Sequence, residues 1–103
     1  MRILEFKVEA QILECIGDFS NLVQGTSGYL HASFEFSEEW KSCEKIVSFF
    51  DRKGNEYAVR AINNKCLIPK EVLDYRHFRM MVTGIKSNYK IVTNKIKVIQ
   101  GGD

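Results

Sequence analysis

The chain reads as an all-β protein, an antiparallel β-sandwich of about seven or eight short strands with one or two single-turn helices. Three observations predict it. Apolar and polar residues alternate with a period of two in several segments, most cleanly over Arg2–Ala10 and Tyr29–Phe36. Clusters of Gly, Asn, Asp and Ser separate those segments at short intervals. No long segment keeps the 3.6-residue period of an amphipathic helix. At 103 residues the chain is read as one domain, 1–103, large enough to bury a core with a modest margin.

Taken in order, Arg2–Ala10 sets Leu4, Phe6, Val8 and Ala10 on one face and Glu5, Lys7 and Glu9 on the other, as a half-buried strand requires. Residues 15–28 carry Gly17, Gly25 and Gly28 with Ser20 and Ser27, and read as an irregular loop. Tyr29–Phe36 resumes the alternation, with Leu30, Ala32, Phe34 and Phe36 inward and His31, Ser33 and Glu35 outward. Ser37–Trp40 reads as one helical turn: Ser37 as N-cap, Glu38 and Glu39 in the first turn, Trp40 falling back onto the core. Lys45–Phe50 is more continuously apolar and suits a central strand. Asp51–Asn55 is a turn in which Gly54 supplies positive φ, and Glu56–Ile62 returns from it. Pro69–Val72 is a second helical turn with the proline at its first position, where the missing N–H is harmless, and Cys66, Ile68 and Val72 look inward around it. His77–Ile85 and Tyr89–Thr93 flank a hairpin turn at Lys86–Asn88, with Asn88 available for left-handed φ, and Lys95–Gln100 completes the set.

Composition narrows the class. The chain is 45% hydrophobic and 27% charged, ordinary for a globular domain. Its apolar runs last only a few residues, as at Ile46–Phe50, so no membrane span is expected. The N-terminus alternates where a signal peptide would be continuously apolar, which predicts cytoplasmic synthesis. Three cysteines, Cys15, Cys43 and Cys66, are widely spaced without a Cys-x-x-Cys pair and read as buried free thiols. Net charge is +2, unevenly spread. Residues 1–51 hold four Lys/Arg against nine Asp/Glu, and residues 52–103 eleven against four. In a sandwich whose strands interleave, opposite signs are expected to meet as cross-strand pairs. A basic nucleic-acid surface and head-to-tail packing of identical subunits are two further uses of the same pattern.

No catalytic, cofactor or metal site is expected. His31 and His77, with Cys43 and Cys66, match no metal-ligand spacing. Glu38 and Glu39 are neighbours on a helical turn and point apart. Neither a nucleophile elbow nor a glycine-rich phosphate motif occurs. Two segments stand out as binding candidates. Phe19, Leu22 and Val23 are large apolar residues within one loop, which either cover the end of the core or form a contact patch. Lys86, Lys90, Lys95 and Lys97 lie on the last hairpin, with Arg76 and Arg79 entering it and Tyr89 among them, as a candidate basic surface. Lysines with an aromatic on a sheet can hold a single nucleic-acid strand, but lysine also guards edge strands. A net charge of +2 is weak for a dedicated binder, so nucleic acid is not the expected partner.

The segments Leu30–Trp40 (LHASFEFSEEW), Lys45–Phe49 (KIVSF), Tyr57–Val59, Cys66–Val72 (CLIPKEV), Phe78–Gly84 and Ile91–Asn94 (IVTN), in that order, resemble a family of small Ig-like β domains. These domains occur in virion proteins of phages and prophages of Gram-positive bacteria, at the head of baseplate and fibre chains, where they attach an appendage to the particle. The family's inter-strand turn, Ile-Pro-x-Glu-Val, is matched by Ile68, Pro69, Glu71 and Val72. Trp40, Gly84, Thr93 and Asn94 match it too, and all of these specify architecture. The resemblance implies an Ig-like sandwich and a non-catalytic structural protein, a baseplate, fibre or adaptor module. Such a module acts by protein–protein contact with virion components or with itself, so a homo-oligomer is expected, made in the host cytoplasm and then carried in the virion. The family pattern commonly continues into a helical stalk, whereas here Gly101–Asp103 follows the last strand, so the chain is expected to act alone as a minor virion or adaptor piece. The alternative is a small prophage-encoded inhibitor of a host or defence protein.

Overall fold

The computed structural model describes residues 1–101. Nine strands form two sheets packed face to face, one strand more than the upper bound read from the sequence. The first sheet has the order β2 (Ile12–Ile16), β1 (Arg2–Glu9), β3 (Leu30–Phe36), β6 (Lys65–Leu67). The second has β5 (Glu56–Arg60), β4 (Glu44–Phe50) and β7 (His77–Lys86), with both β8 (Tyr89–Val92) and β9 (Ile96–Ile99) pairing with β7. A 3-10 turn, Glu38–Trp40, and a single-turn helix, α1 (Lys70–Leu73), complete the fold. Two strands lie outside the seven segments read from the sequence: β2, which pairs with β1 from Glu5↔Ile16 to Glu9↔Ile12, and β6, which pairs with β3 from His31↔Leu67 to Ser33↔Lys65.

Ladders are antiparallel with one exception: β1 and β3 run parallel, Arg2 opposite Leu30 through Val8 opposite Phe36. The loop from Gly17 to Tyr29 carries the chain back to the start of β1, which is what a parallel neighbour requires. Arg2 organises that loop. Its guanidinium donates to the carbonyls of Ser20 at 2.7 Å and Asp18 at 3.2 Å, while its N–H donates to Tyr29 O at 2.9 Å.

The core lies between the sheets. Leu4, Phe6, Val8, Ala32 and Phe34 from one side meet Val47, Phe49, Phe78, Met80, Val82 and Val98 from the other. Trp40 is fully buried and closes one end, its indole N–H donating to Ala10 O at 2.7 Å. Ala10 takes φ 52° in the β1–β2 turn and is not the last inward residue of β1. At the other end α1 contributes Val72 and Leu73. The fully buried Gln100 amide donates to the carbonyls of Leu73 and Tyr75.

Three turn details depart from expectation. The Ser37 hydroxyl makes no cap bond to its turn; it accepts from Ala10 N–H at 2.8 Å and donates to Glu39 at 2.7 Å, because β1 ends close enough to compete. Pro69 stands one residue before α1, in extended geometry. In the Lys86–Tyr89 hairpin the left-handed residue is Ser87, at φ 44°.

Between β8 and β9 the chain leaves the β7 ladder for Thr93–Lys95 and stitches the sheets together. Thr93 Oγ1 accepts from Val82 N–H at 2.9 Å. Asn94 Oδ1 accepts from Leu13 N–H at 2.7 Å, and the Gln11 amide donates to Val92 O at 2.9 Å. Asn94 and Gln11 therefore clamp the two sheets together, while Thr93 ties the segment back to β7.

Candidate functional site

Strand alternation that sends one set of side chains into the core sends the other onto two flat outer faces. On the first sheet that set is Ile3, Glu5, Lys7 and Glu9 from β1, Ile12, Glu14 and Ile16 from β2, His31, Ser33 and Glu35 from β3, and Lys65 and Leu67 from β6. Four carboxylates thus stand with two lysines, and Ile12 is 54% exposed among them. The close ion pair on this face, Lys7–Glu9 at 3.8 Å, runs along one strand.

The second sheet's outer face has the opposite sign. Phe50, Arg79 and Lys97 form one cross-strand row; Ala58, Ser48 and Met81 form the next; Arg60, Ile46, Thr83 and Val92 a third; Ile85 and Lys90 a fourth. Lys95 leans over the Phe50 ring, 4.0 Å from its centroid, a cation–π contact that also covers that ring. Ile99, 67% exposed, stands opposite His77 at the end of the face. Both carboxylates of this face are engaged: Glu44 with Arg60 at 2.7 Å, and Glu56 as acceptor from Ser48 Oγ at 2.7 Å. Among the described residues, Arg79, Lys90, Lys95 and Lys97 have no carboxylate within ion-pair distance. The His77 imidazole registers this environment. Burial first, and then the cations of Lys97, Arg79 and Arg52, hold its pKa below the ordinary histidine value.

The uneven charge is therefore not resolved by cross-strand pairing, as the sequence led us to expect. Strands β1, β2 and β3 from the acidic half build the first sheet, and β5, β7, β8 and β9 from the basic half build the second. Only β4 and β6 cross over, so the two signs end on opposite faces.

Of the four candidate lysines, Lys90, Lys95 and Lys97 share this face. Lys86 does not: its ammonium donates to Lys41 O at 2.8 Å and lies 5.0 Å from the Tyr89 ring, at the Trp40 end of the sandwich. Tyr89 is held there as well, its hydroxyl donating to Glu39 O at 2.9 Å. Arg79, read from the sequence as entering the hairpin, joins the face, and so do Phe50, Met81 and Ile99, which the sequence did not single out. Their common side is fixed by pairing with three different strands, and no local spacing encodes that.

The apolar loop divides. Leu22 is buried, Phe19 packs edge-on against Phe6 at 5.3 Å, and Val23 alone of the three is exposed. Beside it an open groove of about 240 Å³ is lined by Arg2, Asn21, Val23, Thr26 and Tyr29.

Groups with catalytic potential are scattered. His31 and His77 lie on different sheets, and Cys43 and Cys66 are buried. Burial pushes the Cys66 thiol up to about 12. Cys15 is exposed, against the expectation that all three thiols are buried, because β2 is an edge strand with nothing outside it. The Ser37 hydroxyl holds the Glu39 carboxyl below its ordinary value, favouring the charged form that a general acid must avoid. Among the described residues no three His, Cys, Asp or Glu side chains gather as a metal ion would need. Among the described residues no helix is long and apolar enough to cross a membrane. No family model, curated protein or solved structure matches the chain.

Proposed function

We propose that this chain is a non-catalytic protein-contact module, a structural or adaptor piece of a phage or prophage virion, and that the outer face of the second sheet is its working surface. The observation that carries the reading is that face: four cations without carboxylate partners among the described residues, set around Phe50, Met81, Val92 and the exposed Ile99. Apolar side chains interspersed with charges that have no internal partner suit a protein interface, in which an apolar centre is bounded by a polar rim. The virion role rests on the resemblance of Leu30–Asn94 to Ig-like attachment domains.

A single nucleic-acid strand is the competing occupant, and one detail weighs against it. Sheets that bind such strands stack successive bases on exposed rings, whereas the central ring here, Phe50, is already covered by Lys95.

Two measurements test the reading. Purified particles of the encoding phage should contain the chain by mass spectrometry; its absence there, with binding to a host protein instead, would establish an inhibitor. Fluorescence anisotropy with labelled single-stranded oligonucleotides should show no tight binding near physiological salt. Tight binding that weakens steeply with salt and vanishes on Lys90→Ser/Lys95→Ser/Lys97→Ser would make the face a nucleic-acid site.

A further inference from the structure

The second sheet's cationic face has a counterpart on the same molecule. Glu5, Glu9, Glu14 and Glu35 stand on the outer face of the first sheet, interspersed with Ile3 and Ile12, which are 38% and 54% exposed. On the opposite side Arg79, Lys90, Lys95 and Lys97 are interspersed with Ile85 and Ile99, 43% and 67% exposed. The first face is net acidic, its four carboxylates outnumbering Lys7 and Lys65, the second is net basic, and each leaves branched apolar side chains in water.

We infer that the partner of the basic face is the acidic face of a second copy of this chain, so that copies stack head to tail, sheet upon sheet. The inference rests on the protein-contact reading and names its partner. Three arguments select a second copy. The same face brought onto itself would set Arg79, Lys95 and Lys97 against their own equivalents, and like charges set face to face oppose association. A nucleic acid would satisfy the cations but leave Glu5, Glu9, Glu14, Glu35 and their isoleucines uncovered. A contact between unlike faces covers both surfaces with one interface. Sheet faces also suit the geometry, since two sheets pack about 10 Å apart with interleaved side chains. The area suffices: a molecule measuring 44 × 27 × 21 Å presents sides comparable to the roughly 800 Å² that each partner contributes to a standard interface.

Such a contact is heterologous, because the two surfaces differ. A stack keeps one free face of each kind, one at either end, so stacks close into a ring or grow as open rods. Because the attraction between the faces is in part electrostatic, it weakens as salt screens it.

Charge exchange tests the inference. Light scattering on the full chain at low salt should show a mass that rises with concentration and falls as salt is added. Lys90→Glu/Lys97→Glu carries two acidic faces, and Glu5→Lys/Glu35→Lys carries two basic ones. Each variant alone should lose association by about tenfold or more. Mixed in equal amounts they should associate again, since every contact in the mixture then joins opposite signs. All four positions are exposed or edge-facing on strands. Circular dichroism of each variant confirms its fold, and the neutral pair Glu5→Gln/Glu35→Gln should show intermediate association. A wild-type chain that stays monomeric at low salt up to hundreds of micromolar would overturn the inference, as would variants that do not recover on mixing. Either result leaves the protein-contact reading standing, because that reading is decided by particle composition and oligonucleotide binding.

Discussion

Gly84→Ala is the sharpest perturbation of the sandwich. Gly84 lies on β7, and a methyl built there would sit 2.7 Å from Cε3 and 2.8 Å from Cζ3 of Trp40, and 3.0 Å from Cγ2 of Ile91. Carbon atoms pack best at about 3.5–4.0 Å, so the indole would have to retreat. It has nowhere to go: its N–H is bound to Ala10 O at 2.7 Å, and the Phe36 ring lies 5.2 Å from it, centroid to centroid. Overpacking of this kind costs about 1–3 kcal/mol. Replacing a strand glycine by alanine returns roughly 0.5–1 kcal/mol by reducing the entropy lost on folding. The expected net destabilisation is about 1–2 kcal/mol, against about 3–5 kcal/mol for removing the ring altogether with Trp40→Ala. Urea unfolding followed by circular dichroism reads it as a lower midpoint at unchanged slope. The two effects should also be coupled. In a Trp40→Phe background, where the six-membered ring no longer reaches as far, Gly84→Ala should cost measurably less. A Gly84→Ala protein as stable as wild type, or equal penalties in both backgrounds, would refute the claim that Trp40 is wedged on Gly84.

Other groups report on surface and core separately. In the native state a thiol reagent should modify Cys15 alone, slowly because partial burial raises its pKa, with Cys43 and Cys66 reacting only after denaturation to give three thiols in all; fewer than three would establish a disulfide. The His77 ring should titrate by NMR below its usual value of about 6.5, and Lys97→Glu should move the midpoint upward. Because the fold favours the neutral ring, its contribution to stability is complete above about pH 6.5 and is lost as the pH falls through the lowered pKa. A midpoint indifferent to Lys97→Glu would show that the cationic face does not act on His77.

Much of the architecture is legible in the sequence where one property fixes it. The alternation of Arg2–Glu9 and of Leu30–Phe36 sets which side chains face inward, because a strand has two faces and one of them must be apolar. Strand direction is less legible. Nothing in those two segments says that β1 and β3 run parallel, since a side-chain period of two is the same in either sense and the loop from Gly17 to Tyr29 decides it. Strand β2 escapes because Cys15 and Ile16 merge with the glycine-rich loop that follows, and an edge strand buries little. The candidate surface was half visible. Lys90, Lys95 and Lys97 are close in the chain, but Arg79, Phe50 and Met81 reach them only through β7 and β4. Lys86 is as close in the chain and has the same charge but points elsewhere, because it pairs with Tyr89, one register position from the Ile85–Lys90 pair, and so lies on the opposite side of the sheet.

The proposed working surface is most directly tested by the reactivity of its lysines. Acetylation of the isolated chain, diluted and at a salt concentration that keeps it monomeric, should modify Lys90, Lys95 and Lys97 as readily as Lys41 and Lys70, which lie on the 3-10 turn's end and on α1. In purified particles the first three should become protected while Lys41 and Lys70 remain reactive. Equal reactivity of all five in the particle would contradict the assignment of the second sheet's outer face as the surface through which this protein works.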